Sequence, residues 1–77
     1  MANLIKTLKT TNPRVTFSIE QIDEDYMIYV ENYDKREDFI HYEKDLDVMQ
    51  KYLQFMVDAY NFGYIDGKNS AFLFLNQ

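Results

Sequence analysis

The sequence predicts an α+β fold: a small antiparallel sheet of three or four strands packed on one long helix, within a single domain spanning residues 1–77. Three observations carry this reading. Apolar residues alternate through Val15, Phe17 and Ile19 and again through Tyr26, Ile28 and Val30, the period-two signature of half-buried strands. The connections between these segments are short and polar, which favours antiparallel neighbours over crossovers. Leu46, Met49, Leu53, Met56 and Tyr60 then recur at three- and four-residue intervals, placing one apolar stripe on a helix.

The elements follow in order. Leu4, Ile5 and Leu8 lie close together on a helical wheel, so residues 1–12 are expected to form a short helix or a flexible arm, stopped near Thr11-Asn-Pro13. Residues 14–42 are read as a three-stranded meander. Its first turn is Asp23-Glu-Asp25, and its second loop runs through Asn32-Tyr-Asp-Lys-Arg36. In the third strand Phe39 and His41 share one face, while Ile40 and Tyr42 share the other. Asp47 is read as the helix cap with Gln50 completing a capping box, and Asp45 competes for that role. Gly63 suits a left-handed C-cap. Asp66-Gly67 marks a turn, and Ala71-Phe-Leu-Phe-Leu75 is read as a last strand, with a short terminal helix as the alternative.

Hydrophobic residues make up 47% of the chain and aromatics 17%, a composition that supports a folded core rather than disorder. There is no cysteine, so the fold must rest on packing and hydrogen bonding. The first residues lack the basic start and continuous apolar run of a secretory signal, and no segment is long and apolar enough for a membrane span. A cytoplasmic protein without membrane association is the expectation.

The net charge of −5 is unevenly distributed. Lys6, Lys9 and Arg14 precede any acid, whereas Glu20 to Asp47 holds 11 acids against 3 basic residues. That middle repels phosphates and attracts basic protein surfaces, which disfavours direct nucleic-acid binding.

Catalytic motifs are weak. His41 is the sole histidine, and pairing it with Ser18 or Ser70 makes only a nominal triad. Asp23-Glu-Asp25 offers hard oxygen ligands but lacks the spacing and glycine of a calcium loop, so a hydrated turn explains it equally well. The reading is therefore of a noncatalytic protein without cofactor or metal, with weak divalent-metal binding or a small enzyme as a lesser alternative.

The expected function is binding of a basic protein, in its most concrete form inhibition of a nucleic-acid-binding protein by charge mimicry. Same-face carboxylates on a strand sit about 6.8 Å apart, which suits a spaced array of negative charge. The candidate contacts are Tyr29, Glu31, Tyr33, Asp34, Glu37, Asp38, Tyr42, Glu43, Asp45 and Asp47, with the tyrosines anchoring an otherwise nonspecific attraction. The main alternative is a structural or regulatory subunit that self-associates through Val48, Tyr52, Phe55 and Phe62 or through Phe72 and Phe74.

The expected helix–strand–strand–strand–helix order resembles that of a double-stranded-RNA-binding domain over most of the chain. That resemblance implies phosphate and groove recognition. Here, however, Glu43-Lys-Asp-Leu-Asp47 is acidic where a phosphate-binding helix start needs basic residues. The likeness is one of element order.

Overall fold

The structure is a computed structural model that describes residues 2–63, except for the side chains of residues 39–41. Four strands, β1 (Ala2–Lys9), β2 (Val15–Ile22), β3 (Asp25–Asn32) and β4 (Lys35–Glu43), precede one helix, α1 (Leu46–Asn61). The strands form an antiparallel meander in sequence order, and the helix packs on one face. Sixteen helical residues span about 24 Å at 1.5 Å each, matching an eight-residue strand of about 24 Å. The helix therefore runs back along the sheet from one end to the other.

The two apolar alternations make the core as the pattern requires. Val15, Phe17 and Ile19 from β2 and Ile28 and Val30 from β3 meet Met49, Leu53, Met56, Val57 and Ala59 of the helix. Leu46 and Tyr60 pack at its margin, and the Tyr60 ring meets Phe17 edge-on with centroids 6.1 Å apart.

The amino-terminal segment departs from the expected helix or arm. Residues Ala2–Lys9 are strand β1, paired with β2 from Ala2↔Ile22 to Lys9↔Thr16. The register shifts between Leu4 and Lys6, leaving Ile5 as an extra residue. That bulge changes the phase of the strand: Leu4 pairs with Glu20 on the face away from the helix, while Leu8 pairs with the core residue Phe17. An element order that begins with a strand also removes the resemblance to a double-stranded-RNA-binding domain.

The hairpins β2–β3 and β3–β4 close through two-residue turns, Asp23-Glu24 and Tyr33-Asp34, whose first residues have φ of 55° and 61°. Aspartate tolerates this left-handed conformation, whereas for tyrosine it is strained. Tyr33 is held there by its backbone N–H, which donates to the Arg14 carbonyl at 2.8 Å, and by the Arg14 guanidinium, 4.7 Å from its ring centroid. Asp45, not Asp47, caps the helix: its carboxylate accepts from the backbone N–H groups of Asp47 and Val48. Asp47 lies inside the first turn, so Gln50 is not placed to complete a capping box. Gly63 has φ of 80°, and its N–H donates to the Tyr60 carbonyl just past the helix end. The expected turn at Asp66-Gly67 and the last strand at residues 71–75 lie outside the described residues.

Candidate functional site

The register of the hairpin between β3 and β4 decides which acids meet. Tyr26 pairs with Glu43 and Met27 with Tyr42. The turn between β2 and β3, with Asp23, Glu24 and Asp25, therefore lies at the same end of the sheet as Glu43 and the start of α1. Asp45 and Asp47 follow at once. Residues 21–27 and 42–48 carry six acids, and Lys44 is their one cation.

Part of this end is fixed by the backbone. One carboxylate oxygen of Glu43 accepts from the N–H groups of Lys44 and Asp45, at 2.9 and 3.2 Å. The Asp45 carboxylate accepts from Asp47 and Val48 at 2.9 and 3.3 Å. Among the described residues neither carboxylate has a side-chain cation as partner, and the helix N-terminus favours their negative charge. Residues 43–47 border an open, shallow depression. Tyr42, next in sequence to Glu43, is 56% exposed.

The remaining candidates sit elsewhere. Glu31, Tyr33 and Asp34 are exposed at the opposite end, around the turn between β3 and β4. The length of β3 separates the two ends by about 24 Å, well beyond the screening length of about 8 Å at physiological salt. Glu37 is half-buried opposite Val30. Asp38 is exposed near mid-strand and is held by Arg36, whose Nε donates to it at 2.8 Å. The ten candidates do not form one patch. Glu43, Asp45 and Asp47 come together, the register adds Asp23, Glu24 and Asp25 at the same end, and Tyr42 lies at that end on the opposite sheet face, across from Met27.

Tyr29 belongs to a different arrangement. It is buried on the sheet face away from the helix, with the Arg36 guanidinium 3.9 Å above its ring centroid. Arg36 reaches from β4 across β3 and donates to both carboxylate oxygens of Glu20 on β2, at 2.7 and 3.1 Å. This fork, and then the bond to Asp38, hold the Arg36 proton more firmly than in a free guanidinium. The cluster joins three strands and completes the valences of a buried glutamate, which is a structural role. On this face, opposite the Tyr26–Ile28–Val30 alternation, Met27 and Tyr29 are buried with Ser18 and Glu20.

For the catalytic alternatives, Ser18 is 1% exposed and its hydroxyl is hydrogen-bonded with that of Thr7 at 2.9 Å. The His41 side chain and Ser70 lie outside what the structure describes. Among the described residues no group of three or more acidic or histidine side chains is arranged to hold a metal ion, and no helix is long and apolar enough to cross a membrane. In class the described residues form a four-stranded antiparallel meander backed by one helix. Comparison with known protein families, curated proteins and solved structures found no match.

Proposed function

We propose that this protein is a noncatalytic binding factor that docks its acidic end onto a basic protein surface, and that it acts most specifically as an inhibitor competing with nucleic acid for that surface. The observation that carries the reading is the Tyr26↔Glu43 register, which sets the Asp23–Asp25 turn beside the Glu43–Asp47 approach to the helix. Oriented carboxylates lose little freedom on binding, and a concentration of like charge accelerates encounter with an oppositely charged partner. Tyr42 supplies an exposed ring at the same end of the sheet, on the face away from the helix, for a contact that outlasts the encounter. Glu31 on β3, Asp34 in the turn, and Glu37 and Asp38 on β4 lie outside this contact.

The test is capture of partners with the full chain in a cell extract, followed by competition with DNA or RNA. The expected partner is a basic nucleic-acid-binding protein displaced by nucleic acid. Replacing Asp23, Glu24, Asp25 and Asp47 by their amides should weaken the complex and flatten its salt dependence. A complex indifferent to both nucleic acid and these replacements refutes the reading. Mass measurement across concentration addresses the self-association alternative.

A further inference from the structure

Among the described residues strand β1 terminates the sheet order, and all its residues are exposed except the half-buried Leu8. An edge of this kind presents a row of backbone donors and acceptors that a further strand can satisfy. Two features decide which strand. Lys6 pairs with Ile19 and Lys9 with Thr16, so the two ammonium groups flank opposite faces of the same edge. Among the described residues neither lysine has a carboxylate partner, and no acid occurs before Glu20. Leu4, 61% exposed, adds an apolar position on the face away from the helix.

We propose that the outer edge of β1 takes up an extended, acidic strand of a partner protein, and that Lys6 and Lys9 select such a strand over a second copy of this chain. An incoming strand with carboxylates facing the two lysines and an apolar side chain beside Leu4 matches the edge in charge on both of its faces. Two β1 strands would instead bring four lysines into one ribbon with backbones about 4.8 Å apart, where opposed like charges destabilise pairing. The bulge at Ile5 further interrupts a flat self-pairing edge. The same two residues thus attract one class of strand and reject another. This inference does not depend on the acidic end, whose residues lie on other elements.

The experiment uses the full chain and two synthetic eight-residue valine peptides, one with glutamate and one with lysine at its third and sixth positions, three residues apart like Lys6 and Lys9 and therefore on opposite faces of a strand. Binding is followed by titration, and hydrogen–deuterium exchange locates it. The valine–glutamate peptide should bind at least tenfold more tightly and slow exchange at outward-facing amides of residues 2–9. The double variant Lys6→Glu, Lys9→Glu should reverse the preference. Equal affinity for the two peptides, protection outside β1, absence of binding, or a dimer that protects β1 without peptide would each overturn the proposal.

Discussion

The two ends of the sheet use their polar groups in opposite ways. At the end where β1 turns into β2, polar atoms are engaged with one another. The Thr10 hydroxyl bonds to the carbonyls of Asn12 and Val15, and the Asn12 side chain bonds to the Arg14 N–H and the Tyr60 hydroxyl. The Asn61 side chain accepts from the Thr11 N–H, and Arg14 lies over Tyr33. These contacts tie the β1–β2 loop to the helix C-terminus and to the turn between β3 and β4. At the other end, Asp23, Glu24 and Asp47 are exposed, and the described carboxylate bonds there go to local backbone N–H groups at the helix start. One end ties separate elements together; the other, apart from the helix cap at Asp45, concentrates charge on exposed side chains.

Substitutions can break or sharpen that contrast. The largest effect is expected between the ends, at Arg36. Arg36→Ala strips a buried carboxylate of its fork and uncovers Tyr29, and should cost about 2 kcal/mol in urea unfolding. Arg36→Lys should recover only part of this, because an ammonium cannot reproduce the planar two-pronged contact. Next comes Asn12→Ala at the engaged end, which removes the bonds to Arg14 and Tyr60 and should lower stability by about 1 to 2 kcal/mol in the same assay. Asp45→Ala removes the helix cap and should cost about 1 kcal/mol, read as a lower thermal midpoint by circular dichroism. The smallest effect is expected for Asp23→Asn with Glu24→Gln, whose stability should stay within about 0.5 kcal/mol of the parent. A larger loss there than at Asn12 would invert the comparison.

The contrast was only partly legible in the sequence. The central strands and the helix follow from periodicity because each buries one regular face, and the alternation of Val15, Phe17 and Ile19 states that face directly. Strand β1 was hidden by its own bulge: with Ile5 as the extra residue, Leu4 and Leu8 fall on opposite faces, so the apolar pattern no longer alternates and mimics a helical wheel. Pairing with β2 supplies what local preference does not. The helix cap had two acidic candidates two residues apart, and only backbone geometry separates Asp45 from Asp47. The acidic end depends on cross-strand register, since Asp23–Asp25 and Glu43–Asp47 are some twenty residues apart and a slip would separate them. Likewise, no local pattern announces that Arg36 spans two strands to reach Glu20.

The central claim is that charge at one end of the sheet, rather than the total charge, drives partner binding. The most direct measurement compares the salt dependence of partner affinity for two variants, each losing two negative charges: Asp25→Asn with Asp47→Asn, and Glu31→Gln with Asp34→Asn at the opposite end. The first should lose affinity and respond less steeply to salt, while the second stays close to the parent. Equal losses from both pairs would show that the protein is recognised as a diffuse anion, and would contradict the account.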